Sequence, residues 1–144
     1  MALRKLGAAA VILNDAGHVL LVKHTYGRLN WELPGGNAEA DESIVDTAIR
    51  EVREETGLQV YALHTTGTYY EPADDMHQFA FLCQPLDPTA APHPNSEEIS
   101  ACAFWPVAAL PRPINDFTIR RIMDAIGGAQ QPLPEIMPLR RWLE

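Results

Sequence analysis

The chain has 144 residues, of which 47% are hydrophobic and 21% are charged, a composition that suits one globular domain with its own core. Its net charge of −8, from 11 basic and 19 acidic residues, is unfavourable for a nucleic-acid or anionic-membrane surface. We therefore expect a single domain over 1–144, with 130–144 as a tail or packing extension, and neither a nucleic-acid polymer nor a membrane as partner.

The two cysteines, Cys83 and Cys102, lie singly in apolar runs, without a C-x-x-C motif or zinc-like spacing. We expect buried thiols and a reducing cytoplasm rather than a disulfide framework. The start of the chain only faintly resembles a signal peptide, because its short apolar run leads into the turn Asn-Asp-Ala-Gly at 14–17. No apolar stretch has the length of a membrane span.

Apolar runs at 7–13 and 18–24 flank that turn, a pattern that predicts a β-hairpin. Residues 31–33 predict a short strand that Pro34-Gly35-Gly36 ends. An amphipathic helix is predicted from about Asp41 to Thr56, with Asp41 or Ser43 as its cap and Gly57 as its end.

The apolar stripe of this helix follows helical spacing and comprises Ile44, Val45, Ala48, Ile49 and Val52. At about 100° per residue, Glu51, Glu54 and Glu55 fall together on a strip beside it. Taken alone, three glutamates on a helix are typical of a solvated acidic face, here partly neutralised by Arg50 and Arg53.

Beyond the helix, strands are predicted over 58–63, 65–70, 77–84 and 99–107. In the third of these, Gln78, Ala80 and Leu82 should face one way, and Phe79, Phe81 and Cys83 the other. The proline-rich stretch 85–97 predicts a loop, and 107–110 a short helical turn.

A second helix is predicted over 115–126, with Asn115 or Asp116 as its cap and Gly127-Gly128 as its end. Its apolar positions are Phe117, Ile119, Ile122, Met123 and Ile126. The tail beyond it carries three prolines, at 132, 134 and 138. Three alternatives stay open for this tail: packing on the domain, packing on a partner subunit in a homodimer, or a loose segment.

The acidic helix belongs to a longer pattern: Gly36, five residues, Glu42, seven residues, then Arg-Glu-Val-Arg-Glu-Glu-Thr-Gly-Leu at 50–58. This pattern matches the Nudix box at every defined position, and Trp-Glu-Leu-Pro-Gly-Gly at 31–36 resembles the family's usual lead-in. The chain therefore resembles a Nudix hydrolase. The resemblance implies the Nudix fold, an α+β structure in which a mixed β-sheet lies between helices as an α/β/α sandwich.

Clustered carboxylates without Cys or His suit Mg²⁺ or Mn²⁺ rather than Zn²⁺. The resemblance implies that Glu51, Glu54 and Glu55 are the metal-binding and catalytic carboxylates. It also implies that the Gly36 carbonyl is a further ligand and that Arg50 orients a catalytic glutamate. Glu42 is expected to be structural, and which glutamate acts as general base stays open.

Some Nudix enzymes use an additional carboxylate from outside the box. Glu97 and Glu98 lie before the aromatic-proline stretch 104–106, at the place from which it often comes. We expect Glu98 rather than Glu97 to reach the metal, with a solvated loop acid as the alternative.

In the implied reaction, bound metals lower the pKa of a water, and a glutamate accepts its proton as the water attacks phosphorus. The expected substrate is a nucleoside diphosphate linked to another group, of the nucleotide-sugar or ADP-ribose type, or a (d)NTP. A non-catalytic, Nudix-like nucleotide sensor and a diphosphate isomerase are alternatives. Candidate base-stacking residues are Trp31, Tyr26, Tyr69, Tyr70 and Phe81, with core packing favoured for Phe81.

Overall fold

The computed structural model describes residues 5–128 and 133–144. The strands are β1 (Lys5–Ile12), β2 (Val19–His24), β3 (Trp31–Glu32), β4 (Gly35–Asn37), β5 (Val60–Glu71), β6 (Met76–Pro85), β7 (Ile99–Trp105), β8 (Ile114–Asn115), β9 (Glu135–Ile136) and β10 (Trp142–Leu143). The helices are α1 (Ile44–Thr56) and α2 (Asp116–Gly127), and a 3-10 turn covers Val107–Ala109. Within the described ranges, no helix is long and apolar enough to cross a membrane.

The central sheet has five strands in the order β4-β1-β6-β5-β9 and is mixed. Strands β1 and β6 run parallel, as do β5 and β9, whereas β1/β4 and β5/β6 are antiparallel. Alternate residues of β1 point to opposite faces. Ala8 and Ala10 pack with Val52 of α1, while Ala9 and Val11 pack with Ile122 of α2. The predicted α+β architecture, with a mixed sheet between helices, is confirmed.

The predicted hairpin between β1 and β2 is wrong. The turn after β1 forms, with Gly17 donating to the Asn14 carbonyl at 2.9 Å, but a single bridge, Leu13 to Val19, follows it. Strand β2 then leaves the central sheet and joins a three-stranded sheet in the order β3-β2-β7. The chain separates because both hydrogen-bonding edges of β1 are already paired, one with β4 and the other with β6.

Helix α1 begins after Ser43, whose side chain accepts a hydrogen bond from the Asp46 N–H at 3.1 Å. It ends at Gly57, whose φ of 76° is a left-handed conformation that glycine adopts without strain. Ser43 is therefore the cap, and the helix starts later than Asp41. Of the apolar stripe, Ala48 and Val52 are buried, Ile44 and Ile49 are partly buried, and Val45 is exposed.

Helix α2 is capped by the Asn115 side chain, which accepts from the Thr118 N–H at 2.8 Å. The predicted apolar face is correct for Phe117 and Ile122 but wrong for Met123 and Ile126, which are exposed. Two polar positions are buried instead, Thr118 and Arg121. They are buried because they contact Glu32, as described below.

The two strands predicted at 58–63 and 65–70 form one strand, β5, with register irregularities between Ala62 and His64 and between Thr65 and Gly67. The predicted alternation in β6 is confirmed: Phe81 and Cys83 join the α1-side core, while Leu82 packs on the other side.

The described C-terminal segment, 133–144, packs on the domain. Strand β9 extends the central sheet beside β5, and β10 pairs with β8. Pro132, one of the three prolines noted in the tail, lies outside the described residues. Of the three alternatives for the tail, the structure supports packing on the domain.

Candidate active site

Two consecutive glycines bring strand β4 against its neighbours. A Cβ on Gly35 would collide with the Ala8 carbonyl oxygen of β1. A Cβ on Gly36 would lie 2.6 Å from the carboxylate carbon of Glu51, well inside van der Waals contact. Glycine at these positions therefore lets α1 place the Glu51 carboxylate directly against the β4 backbone.

Arg50 holds several acidic side chains of this region in place. Its Nε donates to Glu42 Oε2 at 2.7 Å, and its Nη1 donates to Glu51 Oε1 at 2.9 Å and to Glu54 Oε2 at 3.1 Å. Its Nη2 also bonds the Asn37 carbonyl. The hydrogen bonds from Arg50, then from Thr47, lower the pKa of Glu42 to about 2. Glu42 thus anchors the arginine, in agreement with its expected structural role.

Glu55 is the most buried of the three helix glutamates. Its Oε1 accepts from the Gly35 N–H at 2.8 Å. Burial, together with the charges of Glu51, Glu32 and Glu98, raises its pKa to about 8 despite that hydrogen bond. Burial likewise raises the pKa of Glu51. These carboxylates are held together with too little positive charge to compensate them.

Glu98 reaches the same region from the proline-rich loop. Its carbonyl accepts from the Thr25 N–H at 2.8 Å, and the Glu97 carbonyl accepts from Thr25 Oγ1 at 2.9 Å. On the other side, the Asn95 N–H donates to the Glu55 carbonyl at 3.1 Å, and its side chain donates to the Arg53 carbonyl at 3.0 Å. The loop is therefore fixed both to β2 and to the C-terminal end of α1.

The resulting cavity, here called the carboxylate cavity, has a volume of about 380 Å³. It is lined by Tyr26, Gly35, Gly36, Asn37, Glu39, Arg50, Glu51, Glu55 and Glu98. Four carboxylates thus face one guanidinium. The structure places Glu98, and not Glu97, on this wall. Glu54 is not part of the wall: its side chain is 48% exposed and lies beside the cavity on Arg50.

The chemistry of these donors fits a hard divalent cation. All of them are oxygen atoms, and the carboxylates lack compensating charge. Arg50 holds one oxygen each of Glu51 and Glu54, and Gly35 holds one of Glu55, so each carboxylate keeps a second oxygen for a ligand. Within 5–128 and 133–144, however, no three His, Cys, Asp or Glu side chains already stand in a metal-binding arrangement. The carboxylates are positioned by arginine and backbone instead.

A second cavity, of about 160 Å³, adjoins the first and shares Tyr26, Gly35, Gly36 and Asn37 with it. Here it is called the polar cavity. Its other lining residues are Ala8, His24, Glu32, Leu33, Gln78, Arg121 and Arg140.

The charges of the polar cavity are paired. Arg121 donates to Glu32 at 2.9 Å, and Arg140 binds Glu71 through two hydrogen bonds of 2.9 Å. Burial would raise the pKa of Glu32, but the Arg121 charge and the Thr118 hydroxyl outweigh it and lower this pKa. Burial also lowers the pKa of His24, which favours the neutral ring. This cavity is therefore polar but close to electrically neutral.

The predicted stacking residues separate into three groups. Tyr26 is 53% exposed, stacks on His24 with a centroid distance of 4.6 Å, and lines both cavities. Trp31 is only 8% exposed, packs edge-on against Trp105 and lines neither cavity, so the structure places it in the core. Tyr69 and Phe81 are also core residues. Tyr70 lies beside His77 and does not line either cavity.

Several residues of the site were missed by the sequence interpretation. They are Glu39 and Asn37 on the carboxylate cavity, Asn95 below it, and Glu32, Gln78, Arg121 and Arg140 on the polar cavity. A partial signal existed for Glu32, which sits inside the lead-in at 31–36. The others come from separate strands, helices and loops, where their spacing carries no pattern.

The chain is similar to known proteins over most of its length. Residues 3–126 match the family model described as NUDIX domain. A MutT-like protein of Streptomyces ambofaciens is 30% identical over 127 residues, which cover 88% of this chain and 80% of that protein. An 8-oxo-dGDP phosphatase of Homo sapiens is 30% identical over 134 residues, but the chain spans only 41% of its length.

Among solved structures, an ADP-ribose pyrophosphatase from Streptococcus suis superposes with a TM-score of 0.70 at 25% sequence identity. The match covers 94% of this chain and 100% of that chain. The similarity therefore extends over nearly the whole chain, including the C-terminal part of the domain.

Proposed function

The chain belongs to the NUDIX domain family, and on this premise we propose that it hydrolyses the diphosphate linkage of a nucleoside diphosphate joined to another group. The observation that carries the proposal is the pairing of two adjoining cavities with different charge. One concentrates carboxylates around Gly36, and the other offers neutral hydrogen-bonding groups. A diphosphate nucleotide has the matching division into a charged and an uncharged half.

The charged half of such a substrate would bind to the carboxylates through a divalent cation, for which we propose Mg²⁺ or Mn²⁺. The residues to hold it are Glu51, Glu55 and Glu98 on the cavity wall, with Glu54 beside it and the Gly36 carbonyl. A cation bound there would neutralise phosphate charge and make a water more acidic. It would also offset the burial and the neighbouring negative charges that together raise the pKa of Glu55 to about 8.

For the protein's own groups, we propose that Glu54 and Glu51 are the catalytic carboxylates. Glu54 has access to solvent, and Arg50 fixes one of its oxygens at 3.1 Å, which leaves the other to accept a proton from an attacking water. Arg50 bonds Glu51 and Glu54 through the same Nη1, so it sets the positions of both. Glu42, at 2.7 Å from Nε, keeps the guanidinium in place.

The uncharged half of the substrate would occupy the polar cavity, with Tyr26 at the boundary between the two. Two substrate branches follow from the relatives: the human protein is named for 8-oxo-dGDP and the Streptococcus suis structure for ADP-ribose. In both, a purine nucleoside carries a diphosphate. We propose that this shared part is what the chain recognises.

A hydrolysis screen tests the function. The purified protein would be incubated with Mg²⁺ or Mn²⁺ and ADP-ribose, nucleotide sugars, dinucleoside polyphosphates, (d)NTPs and 8-oxo-dGDP. Release of a nucleoside monophosphate with a sugar phosphate supports the nucleotide-sugar branch, and release of pyrophosphate or inorganic phosphate supports the other. If nucleotides bind tightly but none is cleaved, the proposal is wrong and a nucleotide sensor takes its place.

A further inference from the structure

One side chain of the C-terminal segment reaches the polar cavity, namely Arg140. The backbone next to it is fixed to the domain. The Arg141 N–H donates to Asp116 Oδ1 at 2.9 Å, and the Arg141 carbonyl accepts from the Asp116 N–H at 2.9 Å. Strand β10 then continues the attachment by pairing with β8. The position of Arg140 is therefore determined by the fold.

The orientation of its guanidinium is determined as well. Nε and Nη2 donate to the two carboxylate oxygens of Glu71, each at 2.9 Å, and Gln78 donates to the same carboxylate at 3.1 Å. The guanidinium carbon lies 5.2 Å from the centre of the Phe117 ring. This fork leaves Nη1 without a partner among the described residues, so its two N–H groups are available to a ligand.

The other arginine of the cavity is in a different situation. Arg121 bonds the Phe117 carbonyl through Nε and Glu32 through Nη2, and its side chain is only 5% exposed. The Arg140 side chain is 29% exposed. Both arginines line the polar cavity, and Arg140 is the more exposed of the two, although it also lines a neighbouring cavity of about 380 Å³ beside Glu71 and Trp142.

We propose that Arg140 is a specificity-determining residue, whose guanidinium donates a hydrogen bond to a carbonyl oxygen on the base of the bound nucleotide. The inference rests on the proposed function, since it assumes that the base enters the polar cavity. Arginine only donates hydrogen bonds. The guanidinium can therefore donate to O6 of guanine, which is an acceptor. Adenine carries an amino group at the same position, and two donors facing each other repel. The site prefers 6-keto purines.

A purely structural role is the competing explanation, because the bond to buried Glu71 also ties the segment to β5. Removing one partner of a buried ion pair destabilises a protein whatever its function. Arg140→Lys separates the two roles. It keeps a positive charge beside Glu71 but loses the planar fork and the Nη1 donors.

The test compares Arg140→Lys and Arg140→Ala with Arg141→Lys and Arg141→Ala, which change the same residue type in the same segment. Arg141 is exposed, and its described contacts are made by its backbone. GDP-glucose and ADP-glucose serve as substrates because they differ only in the base, with dGTP and dATP as a second pair.

Arg140→Lys is expected to raise KM for the guanine member of a pair roughly tenfold, with kcat within about twofold. The adenine member and both Arg141 variants should stay within about twofold of wild type. An unchanged guanine-to-adenine ratio in Arg140→Lys, whether KM stays constant or rises equally for both members, overturns the proposal and leaves the ion pair structural.

If the wild-type protein cleaves neither these pairs nor any substrate of the screen, it is the proposed function that fails. Equilibrium binding of GMP and AMP then decides on Arg140 without turnover. Tighter binding of GMP that is lost in Arg140→Lys supports its contact with the base, and equal affinities of wild type and variant for both nucleotides contradict it.

Discussion

The two cavities that meet at Gly35 and Gly36 differ in how they treat buried charge. On the carboxylate cavity, Glu39, Glu51, Glu55 and Glu98 share one arginine. On the polar cavity, Glu32 has Arg121, and Arg140 has Glu71. Since uncompensated charge is costly to bury, the first cavity suits the added cation that we propose, whereas the charges of the second are already paired within the protein. The carboxylate cavity therefore offers a strongly negative surface, whereas the polar cavity offers hydrogen-bonding groups whose charges are paired.

The largest expected effect comes from removing charge on the carboxylate side. Glu51→Gln, Glu54→Gln and Glu55→Gln should each lower turnover roughly 10²-fold or more, because each removes a carboxylate proposed for the cation or the proton. Steady-state rates on a substrate found in the screen, with circular dichroism to check folding, measure this effect. Glu97→Gln is the matched control and should keep its activity. Near-native turnover by the three variants would refute the assignment.

The close approach at Gly36 provides a second test. Gly36→Ala places a methyl group 2.6 Å from the Glu51 carboxylate carbon, so that this side chain must move. We expect kcat to fall roughly tenfold or more, since misplacing a catalytic group by about 1 Å is sufficient. Gly127→Ala serves as control, because nothing lies within 4 Å of a Cβ built there. Equal rates for the two variants would show that the Glu51 position is unimportant.

A third test concerns which of two neighbouring glutamates, Glu97 or Glu98, contributes to cation binding. Glu98→Gln should raise the Mg²⁺ concentration for half-maximal activity several-fold, because one anionic ligand becomes neutral. Glu97→Gln, one residue away and outside the cavity wall, should leave it unchanged. A Mg²⁺ titration of both variants measures the difference. A shift in Glu97→Gln but not in Glu98→Gln would exchange the two assignments.

The smallest expected effect is on the stability of the metal-free protein. Folding raises the pKa of Glu55 from 4.5 to about 8, so the folded state binds more protons than the unfolded state between these values. Stability from this group is full below about pH 4.5 and is lost as the pH rises through about 8.

In EDTA, we therefore expect Tm to fall by a few degrees between pH 6 and pH 8. Glu55→Gln should show a smaller decrease, because it has no proton to lose. Differential scanning calorimetry of both proteins measures the two slopes. Parallel pH profiles would mean that Glu55 is not the group that titrates.

The two cavities also differ in how much of each could be predicted from the sequence. Glu51, Glu54 and Glu55 lie within one helix turn of each other, so helical geometry alone groups them. Gly36 and Arg50 belong to the same contiguous pattern. The fold class followed from that pattern. Local hydrogen-bonding chemistry narrowed each helix cap to two candidates, of which Ser43 and Asn115 are the ones observed.

The errors arise where tertiary contacts override local pattern. The turn at 14–17 is typical of a hairpin, yet β1 pairs with residues much further along the chain: Ala8, for example, pairs with Gly36 and with Phe79. Met123 and Ile126 have helical spacing but lie outside the face of α2 that meets the sheet. Arg121 looks like a surface residue, but it is buried and pairs with the partly buried Glu32 at 2.9 Å.

The polar cavity could not be predicted for the same reason. Its walls come from β1, β2, β6, α2 and the C-terminal segment, so its residues are neighbours only after folding. Arg140 shows this most clearly, because it reaches Glu71 across 69 positions of sequence. The residues proposed to bind the phosphates are therefore close together in the sequence, whereas those proposed to select the rest of the substrate come together only in the folded chain.

The central claim is that hydrolysis depends on a divalent cation held by the carboxylate cavity. Its most direct test is turnover of ADP-ribose and 8-oxo-dGDP by EDTA-treated protein, before and after a Mg²⁺ titration. We predict no turnover in EDTA, recovery with Mg²⁺ in the wild type and in Glu97→Gln, and no recovery in Glu55→Gln. Undiminished turnover in EDTA, or full recovery in Glu55→Gln, would contradict the claim.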